Sequence, residues 1–370
     1  MSRSLPFEDA TIERQTALIR YAEGQAKTIN PVLLAIIDYL TTRIPKEGEL
    51  ITTKKDLDQL IKDVTKRLDK EFTGWENGEF LPMFKDVIDT ELEFDQSATE
   101  AIVDDYTATV PPVEKVESAA FLNPLVINKG AEAIMFDKYI KDWKPREIDK
   151  VIGIIRGGFS NSMTTQQIVR DICGTKSAKY RDGALNKTRA DIQGMVHTTV
   201  QHLASTARNE FAQNNNDLII GMRDIATLDT KTSSQCKSRD QTVYLFEKYG
   251  KNHPSPPYHR RCRTAQVYEF SSEYDFLKEG RKRPAVFEGK AEQVGGTRQY
   301  YDILKSQPKQ VQIDALGKTK AEIFRNAGLT PEEFRKATVD QFYNELTLEE
   351  MTKKNKKIAD YLKKLKKEGA

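Results

Sequence analysis

Asp229-Thr230-Lys231-Thr232-Ser233-Ser234-Gln235-Cys236 and, after 22 further residues, His259-Arg260-Arg261-Cys262-Arg263-Thr264 form the most informative run of this chain. Two of the three cysteines and two of the four histidines lie within it. Cys236 and Cys262 are the two cysteines that we expect to be cross-linked to each other or to share a metal ion. His259 precedes Cys262 by three residues, which suits two ligands on one turn. The run predicts a small Cys/His module near residues 218–270.

Short apolar segments surround this run and predict strands. They are Leu218 to Ile220, Met222 to Leu228, Thr242 to Phe246 and Ala265 to Tyr268. Segments of this length that are rich in β-branched and aromatic residues favour strands over helices. The sequence therefore predicts a two- or three-stranded sheet whose loops hold the cysteines, which makes the module α+β.

The residues before the module predict helices. Residues 1–110 show apolar side chains at the 3.6-residue period and form an acidic N-terminal helical region. Pro111-Pro112 interrupts the pattern, and residues 111–217 follow as a second helical region with one long helix, Leu185 to Gln213. We expect a mainly α, elongated protein, because the hydrophobic fraction of 38% favours thin cores.

Residues 271–370 are predicted to be a C-terminal linker followed by helices with a basic tail. The segment Ser271 to Gly296 is polar and shows few structure signals. Thr330 and Thr347 each precede an acidic first turn, which is typical of a helix N-cap.

Charge is distributed unevenly. Residues 1–120 carry a net charge of −10 and residues 121–370 carry +13, which together give the chain's +3. Two opposite poles predict two different partners, one of them nucleic acid, although solvated helix faces explain such runs equally well.

No apolar stretch approaches the roughly 18 residues of a membrane span, so no membrane partner is expected. Three cysteines do not make a disulfide framework.

The chain resembles the phage minor head, or head-morphogenesis, protein family of the Mu F type. The elements that resemble the family occur in its order: Arg208-Asn209-Glu210, a strand at Ile225 to Leu228, Asp229-Thr230-Lys231-Thr232 with Cys236, Pro256 to Arg263, Tyr300 to Pro308, and Ala315 to Phe324. The resemblance covers roughly residues 130–350. Its structural motif residues here are Asp229, Thr232, Cys236, Pro257, His259, Cys262 and Arg263.

Two positions depart from the family pattern. Ser233 stands where members often carry a cysteine three residues before Cys236, and Thr264 stands where members often end Cys-Arg-Cys. The cysteine-rich members resemble zinc proteins, so this chain has lost ligands relative to them.

Two interpretations of the remaining polar residues stay open. Zinc takes four ligands, of which Cys236, His259 and Cys262 supply three, and the fourth would be Asp229, Asp240 or His253. Alternatively, the cysteines pack side by side while His259 and Asp229 bond to loop backbone. The sequence commits to no cofactor and leaves zinc as the one candidate.

No catalytic residue is expected. The chain shows no Gly-rich phosphate loop and no nucleophile–base pair at a readable spacing. We expect that the protein is not an enzyme. A toxin carrier or a metal-dependent polynucleotide-processing enzyme, with His253 or His259 as the base, is the alternative.

The C-terminal tail combines an apolar stripe with lysines. The stripe comprises Met351, Ile358, Tyr361, Leu362 and Leu365. The lysines are Lys353, Lys354, Lys356, Lys357, Lys363, Lys364, Lys366 and Lys367. The favoured reading is that the stripe docks on another head protein while the lysines contact DNA; a membrane-surface helix and a solvated, frayed end are the alternatives.

The resemblance implies a structural protein of the virion, assembled in the host cytoplasm and located in the capsid interior or at the portal vertex. Its partners would be portal or major capsid proteins and, through the basic C-terminal half, packaged DNA. It would act in head assembly and in genome packaging or ejection. A capsid-independent DNA-binding protein is a further alternative.

Overall fold

Helices dominate the part of the chain that the structure describes. A computed structural model covers residues 7–44, 51, 53–103, 105–125, 127, 133–274 and 280–368, apart from the side chains of 366 and 368. The helices of the first half are α1 Phe7–Lys27, α2 Ile29–Arg43, α3 Lys54–Trp75, α4 Pro82–Glu100, α5 Val113–Leu122, α6 Phe136–Lys141, α7 Trp143–Ser160, α8 Thr165–Cys173 and α9 Ala184–Asn214. The predicted mainly α class is confirmed.

The long helix α9 is the centre of the N-terminal core. It packs against α1, α2, α4, α5 and α8, and every residue from Thr198 to Arg208 is buried. A helix surrounded on all sides buries side chains all round. In this stretch most are small or apolar, and the buried Gln201, His202 and Arg208 are hydrogen-bonded. The loop that follows α9 therefore starts from a fixed position beneath the Cys/His module.

The predicted three-stranded sheet is present. Its strands are β3 Ile219–Ile225, β5 Val243–Leu245 and β6 Ala265–Phe270, in the antiparallel order β5-β3-β6. Phe7 of α1 stacks on Tyr268, which in turn faces Phe211 of α9. One cluster of buried apolar residues consequently runs from Phe7 to Phe270, across the predicted divisions at residues 110 and 217.

The C-terminal third surrounds a second cluster. Its strands are β4 Leu228–Asp229, β7 Lys282–Phe287 and β8 Lys290–Gly295. A separate two-stranded sheet in the first half consists of β1 Pro124–Leu125 and β2 Ile134–Met135. The remaining helices are α10 Ser234–Arg239, α11 Phe246–Tyr249, α12 Tyr300–Lys305, α13 Lys309–Leu316, α14 Lys318–Asn326, α15 Pro331–Thr338, α16 Leu348–Lys354 and α17 Lys356–Glu368. Strand β4 pairs parallel with β7, so the Cys/His module continues directly into this third.

The predicted unstructured linker is wrong for residues 282–295, which form the β7–β8 hairpin. Its inward side chains in β7 are Arg283, Ala285 and Phe287. The period-2 pattern of a strand is present, but one inward position is an arginine, which hid the apolar face.

The C-terminal apolar stripe is used inside the chain. Met351 and Ile358 are fully buried in the second cluster, and Tyr361 and Leu362 pack against it. Asn355 is extended and divides the segment that carries the stripe into α16 and α17. The prediction that the stripe docks on another protein is therefore wrong for Met351 and Ile358, which are buried within the chain itself.

No described helix combines the length and the apolar content that a membrane crossing needs.

Candidate metal centre

Cys236, His259 and Cys262 meet in space, as the sequence predicts. The Cys236 Sγ lies 3.7 Å from the Cys262 Sγ and 3.2 Å from the His259 Nε2. All three ligand atoms lie within 4.8 Å of one another. Both cysteines are buried and His259 is half-buried. This group can hold a metal ion.

The first turn of α10 positions Cys236. Ser233 is the N-cap residue, and its hydroxyl accepts a hydrogen bond from the Cys236 backbone N–H. The same Ser233 Oγ lies 2.9 Å from the His259 Nε2. Ser233 thus connects the backbone of Cys236 to the ring of His259.

Asp229 fixes the loop and does not join the group. Its carboxylate receives two hydrogen bonds from Arg263, at 2.7 and 2.9 Å, and two more from the backbone N–H groups of Lys231 and Thr232. Burial raises the pKa of this carboxyl, but the bond and charge of Arg263 outweigh it and lower the pKa overall. The predicted role of Asp229 as fourth ligand is therefore wrong for this structure.

The other motif residues hold the two halves of the run together. The Thr232 hydroxyl donates to the Thr227 carbonyl at 2.6 Å. Pro257 is buried and joined to Pro256 by a cis peptide bond in the segment that leads to His259. All seven predicted motif residues thus lie where the two halves of the run meet.

The two alternative fourth ligands are engaged elsewhere. Asp240 accepts from Arg283 and from the backbone N–H groups of Ala226 and Tyr300. His253 contacts the Asn209 Oδ1 at 2.8 Å and the Pro254 carbonyl at 3.0 Å. Among the described residues, only three side chains with metal-binding atoms form the group.

The orientation of His259 is set by its second ring nitrogen. Nδ1 lies 2.9 Å from the Arg260 carbonyl oxygen and donates to it, which fixes the ring with Nε2 directed at Cys236 and Ser233. Metal-binding histidines typically donate their other nitrogen in this way.

The electrostatics of the group favour one negative sulfur. Burial raises the pKa of Cys262, but hydrogen bonds from Cys236 and His259 outweigh it and hold the pKa well below its ordinary value. The hydrogen bond to Cys262, with burial, raises the pKa of Cys236. Burial lowers the pKa of His259, but the bond and charge of Cys262 raise it overall. Metal binding would displace the protons that this arrangement retains.

A buried cation and a buried ion pair behind the group were not predicted. Lys237 is 2% exposed, donates to the Ala315 carbonyl, and burial lowers its pKa to about 8. Arg283 is buried against Asp240. Their signal in the sequence was weak, because a lysine in a polar run and an arginine in a polar strand both look exposed.

The predicted nucleic-acid lysines with described side chains are all exposed: Lys353, Lys354, Lys356, Lys357, Lys363, Lys364 and Lys367. Contacts within the chain include those of Lys353 with Glu349, Lys354 with the Val339 carbonyl, and Lys357 with Glu333. The side chain of Lys366 lies outside the described part.

No family model matches this chain, and neither the curated proteins nor the solved structures contain a match to it.

Proposed function

We propose that this chain is a minor head protein of a phage. It would be a structural protein of the virion, bound at the portal vertex or the inner capsid wall, and would act in head assembly and in packaging or ejection of the genome. The observation that supports this best is the convergence of the motif residues of the resemblance. Asp229 pairs with Arg263, and Cys236 contacts His259 and Cys262, so the two distant halves of the motif form one unit.

We also propose that the metal held by the Cys-His-Cys group is zinc. Two Zn–S bonds of about 2.3 Å at a tetrahedral angle place the sulfurs roughly 3.8 Å apart, and a Zn–S and a Zn–N bond place their atoms roughly 3.5 Å apart. The distances here are 3.7 and 3.2 Å. The donor set of two thiols and one imidazole is also one that zinc prefers.

The space around the group fits a structural ion. The adjoining cavity has a volume of about 50 Å³ and is lined by Ser233, Thr264 and neighbouring loop residues. It has room for a water or the Ser233 hydroxyl as fourth ligand. It lacks the few hundred cubic ångströms of an ordinary substrate site.

A metal-dependent polynucleotide-processing enzyme is the second candidate, because three protein ligands and an open position are the usual pattern of catalytic zinc. The test is incubation of zinc-loaded protein with supercoiled DNA. We expect no nicking. Nicking that His259→Ala abolishes would favour the enzyme over the structural protein.

The head proposal is tested on purified phage particles from cells that produce the chain. We expect mass spectrometry to find it in intact heads, together with portal protein, at far fewer copies than the major capsid protein. Its absence from heads, combined with DNA binding by the free protein, would instead favour the capsid-independent DNA-binding protein.

A further inference from the structure

A large cleft lies in the part of the fold that also holds the Cys/His module. It has a volume of about 850 Å³ and lies between α9, the segment from Tyr249 to Tyr258, and the turn from Gln341 to Asn344. This volume is within the range of pockets that take a drug-sized molecule or several residues of a peptide. Of the seven motif residues on which the head proposal rests, only Pro257 lines it, and none of the Cys-His-Cys group does.

A rigid turn presents an apolar side chain at the mouth of the cleft. The Asp340 carboxylate accepts hydrogen bonds from the backbone N–H groups of Phe342 and Asn344, both at 2.8 Å, and from the Asn344 side chain at 3.0 Å. Phe342 is nevertheless 67% exposed. Because hydrogen bonds to Asp340 hold the turn, the exposed position of the Phe342 side chain is fixed.

Arg239 fixes that turn to the module. Its guanidinium carbon lies 4.1 Å from the ring centres of both Tyr258 and Tyr343, so the two rings enclose it. Nη1 also donates to the Tyr244 hydroxyl at 2.8 Å. Enclosed cation–π contacts of this kind stabilise the pairing of the two walls.

The remaining walls offer hydrogen bonds to a peptide backbone. Ser205 and Thr206 of α9 line the cleft, and Asn252 and Gln341 lie at its edge. Hydroxyl and amide side chains both donate and accept, which is what the alternating N–H and C=O groups of an extended chain require. Exposed Tyr249 adds a second aromatic ring at the edge.

The charge of the lining is one-sided. No aspartate or glutamate is among the described residues that line the cleft, whereas Arg239 and the exposed Lys251 are. In a chain with 55 acidic residues, this composition favours a ligand that carries carboxylates.

We propose that the cleft binds an extended peptide segment of a partner protein, with a carboxylate beside Lys251 and an apolar side chain against Phe342. Aromatic anchors within a polar surround are typical of protein interfaces. A nucleic acid fits less well, because its affinity comes from several phosphate contacts. Lys251 is exposed, whereas Arg239 is enclosed by two rings beside the buried Asp224. The proposal is independent of the proposed head function.

The test uses the full chain and a displayed library of random peptides. We expect selection to enrich peptides that contain Asp or Glu next to an apolar residue. A synthetic peptide from the selection, measured by fluorescence anisotropy, should lose roughly tenfold in affinity with Phe342→Ala. Lys251→Glu should weaken binding most at low salt.

Two exposed residues outside the cleft serve as matched controls. Leu34→Ala removes an apolar side chain that is 53% exposed, and Lys62→Glu reverses an exposed lysine of α3. Both should leave peptide affinity unchanged, and thermal melting should show all four variants folded. Recovery of no such peptide, or equal binding by the cleft variants and the controls, would overturn the proposal. Binding of oligothymidylate that Phe342→Ala and Lys251→Glu weaken would assign the cleft to nucleic acid instead.

Discussion

Arg283 donates hydrogen bonds from Nη1 and Nη2 to the two carboxylate oxygens of Asp240, and neither side chain is exposed by more than 1%. The same carboxylate accepts from the backbone N–H of Tyr300 at 2.7 Å and of Ala226 at 2.9 Å. One buried anion therefore joins the Cys/His module, the β7–β8 hairpin and the start of α12.

Asp240→Ala should destabilise the protein by about 3–5 kcal/mol, because it leaves the buried Arg283 charge without its partner. Urea unfolding followed by circular dichroism measures this loss. The control is Glu349→Ala, which breaks the exposed pair with Lys353 and should cost at most about 0.5 kcal/mol. If both variants cost the same, Asp240 does not join the three elements energetically.

Loss of either thiol should remove zinc. We expect Cys236→Ser and Cys262→Ser to bind less than one zinc per chain, and a chelator to lower the melting temperature of the parent but not of these variants, because metal binding contributes to folding. Cys173→Ser is the matched control, since Cys173 is buried in α8 outside the group. Elemental analysis that finds no zinc in parent protein purified without chelator would contradict this prediction.

Ser233→Cys should tighten the metal site. The Ser233 Oγ already lies 2.9 Å from the His259 Nε2, so a thiol there supplies a fourth ligand of the kind zinc prefers. Competition with a chromogenic chelator should show a higher zinc affinity than the parent has. An unchanged affinity would place Ser233 outside the coordination shell.

Asp224 should make stability depend on pH. Burial raises its pKa to about 7 from an ordinary value of 3.8. Between these values the folded protein retains a proton that the unfolded chain releases, so the free energy of unfolding falls as pH rises and levels off above the folded pKa. Its contribution is thus complete below pH 3.8 and lost by about pH 7.

Asp224→Asn removes this titration while keeping an oxygen that accepts from Tyr258. The stability of the variant relative to the parent should therefore rise between pH 4 and pH 7, roughly the two pKa values. Urea unfolding at several pH values measures it. A difference that stays constant over this range would mean that Asp224 is ionised in the folded protein.

Exposed C-terminal lysines should carry any binding to duplex DNA. Changing Lys356, Lys363 and Lys367 to glutamine should lower affinity and flatten its salt dependence by about 0.9 per lost phosphate contact on logarithmic axes. Met351 and Ile358 stay buried in this variant, so the helices remain docked. The parent affinity and salt slope, if retained, would show that the tail does not bind DNA.

Local signals were predicted well from the sequence. Thr330 and Thr347 are N-caps that form capping boxes with Glu333 and Glu350, and α9 runs from Ala184 to Asn214 where Leu185 to Gln213 was predicted. The Cys236, His259 and Cys262 group was also predictable, because its residue types are rare and closely spaced. These features depend on neighbours within a few residues or on chemistry that only those residue types supply.

Long-range polar contacts were not predictable in the same way. The partner of Asp240 is 43 residues away in a strand that looks polar, and Asp229 pairs with Arg263 and lies outside the Cys-His-Cys group. Phe342 looks like one more core residue until the Asp340 turn directs it outward. Each outcome depends on which distant elements pack together, which periodicity along one segment does not encode.

The pairing of Asp240 with Arg283 also bears on the order of events during synthesis. The ribosome adds Cys236, Asp240, His259 and Cys262 to the chain before it adds Arg283, with a delay on the order of seconds at usual translation rates. During that interval the carboxylate has to stay hydrated, so the loop around it stays open to water. Nascent chains that are stalled after these thiols emerge but before the hairpin does should therefore react with thiol reagents faster than the finished protein, in which Cys236 and Cys262 are buried.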